Sequence, residues 1–168
     1  MKQRLSALLE ERGYPFDEID AVLAAGVGEV PDTLARLKAL HDLRSRREFE
    51  PLSVAFKRAM NIVKQASKTA ARAESGGLKA DLLKEPSEQT LYQAIETAGA
   101  KVAQSVQARA YREALESMVN LREPLDGFFE GVMVMAEDAS LRANRLALME
   151  RLVQMFSKIA DFSKLQNA

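Results

Sequence analysis

Apolar residues recur every three or four positions along most of the chain, which is the spacing of one face of an α-helix. Strand signals are nearly absent, because β-branched residues are scattered and strict alternation, here of valine with methionine, appears only around residues 132–135. The pattern therefore predicts an all-α protein, a helical bundle of about seven or eight helices.

The first 50 residues are predicted to form short helices, because glycine and proline interrupt the apolar pattern repeatedly. Gly13 and Pro15 separate the first helix from the second, and Gly26 ends the second. Pro31 suits the first turn of a third helix, where the N–H that proline lacks would have no partner. We therefore expect an N-terminal helical extension over residues 1–50.

Longer helices are predicted over residues 51–168, which we expect to form the main bundle. A helix from residue 51 to about residue 72 precedes a glycine-containing linker near 73–78. Another helix is predicted to start at Pro86, and Asp138 is a suitable N-cap for the last helix.

The segment 121–138 is predicted to be irregular, because Pro124 and Gly127 interrupt it. Within it lies a dense apolar cluster that runs from Leu125 to Met135. Apolar and aromatic side chains serve equally in a core and in a docking surface for another protein. We favour the core, because such clusters at chain turns usually close a bundle.

Composition narrows the classes of function. The 168 residues include 24 basic and 24 acidic side chains, so RNA binding must come from a local patch. The absence of cysteine excludes disulfides and thiolate zinc sites, and it suits a reducing cytoplasm. No apolar run approaches the roughly 18 residues of a membrane span. We therefore expect a soluble, cytoplasmic protein with no membrane partner.

No catalytic site is expected in this segment. His41 is the only histidine, and no recognisable nucleophile motif accompanies it, so we expect a solvated or half-buried side chain. Glycine-rich phosphate loops and dinucleotide fingerprints do not occur, and the acidic pairs lie near predicted helix ends. We therefore expect no catalytic residue, no metal ligand and no cofactor site in this segment.

A basic stripe on the fourth predicted helix is the strongest candidate for binding chemistry. Its members recur every three or four residues on the side opposite Phe56 and Val63. Basic side chains contact phosphates and release counterions, which favours RNA binding. The alternative is that the stripe is only the solvated side of an amphipathic helix. The stripe consists of Lys57, Asn61, Lys64, Lys68 and Arg72.

A second basic set lies in the C-terminal half of the chain. Arginine planes stack on unpaired bases of single-stranded loops, so this set is also a candidate for RNA binding. For Arg142 the alternative, an ion pair with Glu137, Asp138 or Asp126 that fixes a loop, stays open. For Arg145, which lies on the apolar stripe of the last helix, we favour that structural role. The candidates are Arg109, Arg112, Arg122 and Arg142.

Seven segments in this order carry a family resemblance: IDAVLA at 19–24, FKRAMNI at 56–62, RAYREAL at 109–115, LREPLDGFF at 121–129, VMVM at 132–135, LRANRLAL at 141–148 and ADFS at 160–163. Together they resemble the C-terminal part of the bacterial glycyl-tRNA synthetase β subunit. The resemblance implies a DALR-type anticodon-binding bundle preceded by short helices. It also implies that the chain is one part of a β subunit several times longer.

The resemblance further implies a role in binding the anticodon arm of glycine tRNA. The first RNA-binding candidates are then Lys57, Arg58, Asn61 and Lys64 on the opening helix of the bundle. Glycine activation, with its ATP and magnesium, would take place on a separate α subunit. That subunit and the remaining β-subunit domains are the implied protein partners. The alternative function is a helical protein-interaction module that docks onto those domains or subunits.

Overall fold

The computed structural model describes residues 1–68 and 77–166, and within these ranges every regular element is helical. The prediction of an all-α bundle of seven or eight helices is confirmed. In the described part of the chain no helix is both long and apolar enough to cross a membrane. Short 3₁₀ turns occupy Ala80–Leu82 and Phe162–Lys164. The α-helices are α1 (Lys2–Glu11), α2 (Phe16–Ala24), α3 (Val30–Arg44), α4 (Phe49–Ser67), α5 (Pro86–Gln107), α6 (Tyr111–Val119), α7 (Arg122–Gly131) and α8 (Ala139–Ser157).

Local sequence signals set several helix ends as predicted. Gly13 and Gly26, which follow α1 and α2, have φ angles of +93° and +136°, a region that side chains with a Cβ rarely adopt. Pro31 lies in the first turn of α3. Asp138 caps α8, because its carboxylate accepts hydrogen bonds from two backbone N–H groups of the first turn.

Two predicted boundaries need correction. The prediction of an irregular segment over 121–138 is wrong for its first half, which forms α7. Pro124 lies in the first turn of α7, where the N–H that proline lacks has no partner within the helix. The fourth helix ends at Ser67, before the predicted residue 72. Most of the predicted linker, residues 73–76, lies outside the described residues.

An aromatic cluster forms the centre of the core between α4 and α8. Phe56 stacks on Phe156 with ring centroids 4.6 Å apart, and Phe162 contacts the two rings at 5.3 and 5.2 Å. These three side chains are fully buried. The predicted inward orientation of Phe56 is confirmed, and Met60 and Val63 pack half-buried against the same core.

The N-terminal helices contact the C-terminal segment through a buried arginine. Arg36 of α3 is 4% exposed and donates hydrogen bonds to three backbone carbonyls. These belong to Val22, Gly26 and Ile159, at distances of 3.2, 2.6 and 3.1 Å. Residues 1–50 therefore pack against the longer helices, and a domain boundary at residue 50 stays a prediction.

Candidate nucleic-acid interface

The solvent side of α4 carries basic and amide side chains and, after Glu50, no carboxylate from the same helix. Ala55, Phe56 and Ala59 are buried, which turns the opposite side of the helix to solvent. The sequence has no acidic residue from 51 to 68. Four of the predicted candidates are exposed on this side, and we call them the α4 basic face. They are Arg58, Asn61, Lys64 and Lys68.

The other two members of the predicted stripe have different surroundings. Lys57 is half-buried, and its Nζ donates a hydrogen bond to the backbone carbonyl of Leu165 at 2.6 Å. This contact ties α4 to the C-terminal segment, so Lys57 has a structural role, and its role in RNA binding stays a prediction. Arg72 lies outside the described residues.

A cleft of about 480 Å³ lies beside the α4 basic face. We call it the α4–α7 cleft, and it is lined by Arg58, Ile62, Phe129, Glu130 and residues 131–135. The guanidinium carbon of Arg58 lies 4.3 Å from the ring centroid of Phe129, which is a cation–π contact. Arg58 itself remains exposed. One wall of the cleft is therefore a planar cation that solvent can reach.

The segment 132–135 gives the cleft an apolar rim. Val132 and Val134 are 9% and 6% exposed, whereas Met133 and Met135 are 73% and 46% exposed. The alternating pattern thus places the valines inward, although the segment forms no strand within the described ranges. The prediction that the apolar cluster from Leu125 to Met135 lies in the core is therefore confirmed for the two valines and wrong for the two methionines.

Arg145 of α8 fixes the backbone of this rim. Its Nη1 donates to the carbonyl of Met133 at 2.8 Å, while its Nε and Nη2 donate to one carboxylate oxygen of Glu88. Arg145 and Glu88 are 8% and 0% exposed. The structural role favoured for Arg145 is confirmed, but its partner is a glutamate of α5. The expected partners Glu137, Asp138 and Asp126 are not the ones observed.

The side chain of Arg142 also turns toward the segment before α8. Its Nη1 donates to the backbone carbonyls of Ala136 and Glu137 at 3.1 and 3.4 Å. These contacts support the structural alternative for Arg142, with backbone carbonyls as its partners in place of the expected carboxylates. Its part in RNA binding stays a prediction.

The remaining arginine candidates form ion pairs near the starts of α6 and α7. Arg109 is 58% exposed with its Nη2 3.4 Å from Glu29, and it has a left-handed φ of +58°. Arg112 and Arg122 each pair with a carboxylate four residues later, at 3.6 Å. The helix α6 packs on α3 and α5, whereas the α4 basic face lies beside α7. The structure therefore groups Arg58 with the α4–α7 cleft and places Arg109 and Arg112 on other elements.

His41 has the solvated position that the sequence predicts. Its side chain is 48% exposed, and its Nδ1 lies 2.8 Å from a carboxylate oxygen of Glu18. Its ring also contacts that of Tyr14 edge-to-face. Within residues 1–68 and 77–166, no three carboxylate or histidine side chains are grouped as metal ligands would be. The absence of catalytic and metal sites stays a prediction.

A hydrogen bond between α3 and α6 was not foreseen from the sequence. Tyr111 is 5% exposed, and its hydroxyl donates to the carboxylate of Asp32. Burial, together with the hydrogen bond to this carboxylate and its charge, raises the pKa of Tyr111 to about 12. The sequence places Tyr111 at helical spacing with Leu115 and Met118, which does not indicate a partner for its hydroxyl.

The sequence profile described as DALR anticodon binding domain matches residues 52–162. The chain belongs to this family. The matched range includes the α4 basic face and the α4–α7 cleft of this DALR domain, and it extends to Phe162 of the aromatic cluster. The DALR-type bundle implied by the resemblance is therefore confirmed.

Curated relatives of this DALR domain carry the name glycine–tRNA ligase beta subunit. The relative from Acidobacterium capsulatum is 43% identical over 169 residues, which is 98% of this chain and 24% of the relative. Relatives from Desulforudis audaxviator and Trichlorobacter lovleyi are 42% and 38% identical, over 96% and 94% of this chain and 22% of each relative. The predicted resemblance to this subunit is confirmed. The chain spans about a quarter of the length of these relatives.

Proposed function

We propose that this DALR domain binds the anticodon arm of glycine tRNA and thereby supports the ligation of glycine to tRNA. The contact surface is the α4 basic face, with its side chains turned to the phosphates of the arm. The chain would act in the cytoplasm as part of a glycine–tRNA ligase. It would contribute RNA affinity and no catalytic group.

One observation carries this proposal: the exposed side of α4 has a single sign of charge in a chain without net charge. Arg58, Lys64 and Lys68 are exposed there, and no carboxylate lies within the helix after Glu50. Solvated helices usually mix both signs, because opposite charges three or four residues apart attract each other. A single-sign face instead suits the phosphate backbone, since each contact releases counterions.

The proposal also assigns the partners. The α subunit would hold ATP and magnesium and would activate glycine, and the remaining β-subunit domains would join this chain to it. The names of the relatives and the quarter of their length that this chain spans support this arrangement. No cofactor is assigned to the described residues.

A filter-binding titration with glycine tRNA and an anticodon-substituted form of it, each at two salt concentrations, tests the proposal. We expect tighter binding of the native anticodon, and a preference that survives the higher salt, because base contacts are less sensitive to salt than phosphate contacts. Equal binding of both tRNAs that is lost at higher salt would place the specificity in other domains. Absence of binding at both salt concentrations would overturn the function.

A protein-docking function is the second candidate, and the exposed apolar side chains of the first helices favour it. Phe16 is 63% exposed, Val30 is 51% exposed and Leu8 is 43% exposed. Exposed apolar side chains suit a protein contact when they form one patch, and these three belong to the adjacent helices α1, α2 and α3. A pull-down without tRNA separates the two functions: a docking module should capture the remaining β-subunit domains or the α subunit.

A further inference from the structure

The chain exposes two methionines at one place, the segment 132–135. Met133 and Met135 are 73% and 46% exposed, whereas Met118 and Met149 are fully buried and Met155 is 6% exposed. Methionine is usually a core residue, because its flexible and polarisable side chain fills irregular gaps between apolar groups. The exposures therefore separate two thioethers that solvent reaches from three that the core protects.

The backbone that carries these two side chains is anchored at several points. Arg145 donates to the carbonyl of Met133 at 2.8 Å, and Arg142 donates to the carbonyl of Ala136 at 3.1 Å. The two valines of the segment are buried. Met133 and Met135 both line the α4–α7 cleft. Their exposure is therefore a property of the folded segment and does not require the segment to open.

Arg58 gives the same cleft a cation. The carbon of its guanidinium lies 4.3 Å from the ring centroid of Phe129, and its side chain remains exposed. A guanidinium has five N–H donors at its edge, and stacking on a ring occupies only its face. A thioether sulfur is a weak acceptor, whereas the oxygen of a sulfoxide is polar and accepts a hydrogen bond. Oxidation of either methionine would therefore create an acceptor for Arg58 within the cleft.

The oxidation needs only an accessible sulfur and a peroxide. A lone pair of the sulfur attacks one oxygen of hydrogen peroxide, so that an S–O bond forms and the O–O bond breaks. The second oxygen leaves as water and takes both protons of the peroxide with it. The sulfur thus loses two electrons, and the peroxide is reduced to water. Methionine sulfoxide reductases return the sulfoxide to the thioether, which makes the change reversible.

We propose that Met133 and Met135 form a site of reversible oxidation by peroxide, and that their sulfoxides bind Arg58 and so weaken RNA binding by the α4 basic face. Arg58 belongs both to the cleft and to that face, so a hydrogen bond to a sulfoxide competes with a contact to phosphate. The effect on RNA rests on the proposed function, whereas the oxidation site stands independently of it.

Peptide mapping by mass spectrometry, after exposure to increasing concentrations of hydrogen peroxide, tests the oxidation site. Met133 and Met135 share the tryptic peptide 123–142, whereas the buried Met118 and Met149 each lie in another peptide. We expect peptide 123–142 to gain one and then two oxygen atoms at least about tenfold faster than the other two peptides, because a buried sulfur reacts only when the fold opens. Equal rates in the three peptides would overturn the oxidation site.

Filter binding of glycine tRNA to the reduced chain, and to the chain oxidised until both exposed methionines have reacted, tests the effect on RNA. We expect oxidation to weaken binding about tenfold, the effect of losing one hydrogen bond from a charged group. Treatment with methionine sulfoxide reductases should restore the affinity, and circular dichroism would verify that the oxidised chain is folded. Unchanged binding after oxidation of both methionines would overturn the effect on RNA alone.

Met133→Leu combined with Met135→Leu should bind tRNA equally before and after peroxide, since leucine has a similar volume and cannot be oxidised. Met60→Leu is the matched control, because it removes a methionine that packs half-buried against the core. It should lose affinity on oxidation as the wild type does. An equal loss in the double leucine variant would overturn the role of the two methionines.

Arg58→Gln tests the competition for Arg58. This variant has already lost the cation, so oxidation should reduce its tRNA affinity by less than about twofold. A tenfold loss in Arg58→Gln, equal to that of the wild type, would overturn the role of Arg58. If the reduced wild type binds no tRNA, the proposed function and the effect on RNA are both overturned, while peptide mapping still decides the oxidation site.

Discussion

Arg145 of α8 binds the carboxylate of Glu88 on α5 through two hydrogen bonds, from Nε at 3.0 Å and from Nη2 at 2.6 Å. Both side chains are buried, and a third hydrogen bond from Arg145 reaches the carbonyl of Met133. The pair therefore joins α5 to α8 and also fixes the rim of the α4–α7 cleft.

We expect Arg145→Met to destabilise the protein by about 3–5 kcal/mol, because the change leaves a buried carboxylate without its partner. Urea unfolding would measure the loss. The control is Arg151→Met, which breaks another contact between α8 and α5, the ion pair with Glu96. These side chains are 44% and 50% exposed, and exposed pairs contribute less than about 1 kcal/mol. Equal losses in the two variants would contradict the importance of burial.

Arg36→Met should lower the free energy of unfolding by at least about 3 kcal/mol. Three backbone carbonyls lose their hydrogen-bond donor, and each loss costs about 1 kcal/mol or more. One of these carbonyls, that of Ile159, lies 123 residues away in sequence, so Arg36 joins the N-terminal helices to the C-terminal segment. Amide hydrogen exchange should also become faster in residues 159–165. Arg46→Met, at a side chain that is 40% exposed, should change neither measurement appreciably. Unchanged exchange in Arg36→Met would show that other contacts hold the C-terminal segment.

Tyr111→Phe should change the alkaline stability of the protein. The pKa of Tyr111 is about 12 in the folded protein and about 10 in an unfolded chain. The contribution of the neutral phenol is therefore fully present below pH 10, and it is lost as the pH rises from 10 to 12. At pH 7 the variant should be less stable by about 1 kcal/mol, the contribution of one hydrogen bond.

The difference in unfolding free energy between wild type and Tyr111→Phe should therefore shrink between pH 7 and pH 11. All other titrating groups are common to both proteins, so they cancel in this difference. Chemical denaturation at the two pH values would measure it. A constant difference would mean that the phenol titrates alike in the folded and unfolded states.

Lys64→Ala combined with Lys68→Ala should weaken binding of every tRNA and reduce its salt dependence. Each phosphate contact contributes about 0.7–0.9 to the slope of log K against log salt, so the slope should fall by about 1.5. The control removes two exposed lysines elsewhere, Lys38 and Lys84, and should leave the slope close to that of wild type. An unchanged slope in the α4 variant would exclude this face as the RNA surface.

Much of the fold could be predicted because the signals are local. Periodic apolar residues, the glycines after α1 and α2, and the carboxylate of Asp138 act over one or two helical turns. The solvent side of α4 follows from the same periodicity once Phe56 is placed in the core. The prediction of an irregular segment over 121–138 was wrong for its first half, because a proline in a first turn does not interrupt a helix. Whether a proline falls in a first turn depends on where the helix begins.

The partners of the buried charged groups and the α4–α7 cleft could not be predicted in this way. Arg145 lies 57 residues from Glu88, and the sequence around Arg145 made nearer carboxylates equally suitable partners. The cleft exists because α4, α7 and the segment 132–135 meet, so Arg58, Phe129 and Met133 become neighbours only after packing. Periodicity specifies which side of each helix is apolar, but it does not specify which helices approach each other. That choice follows from side-chain packing and from satisfying buried polar groups throughout the molecule.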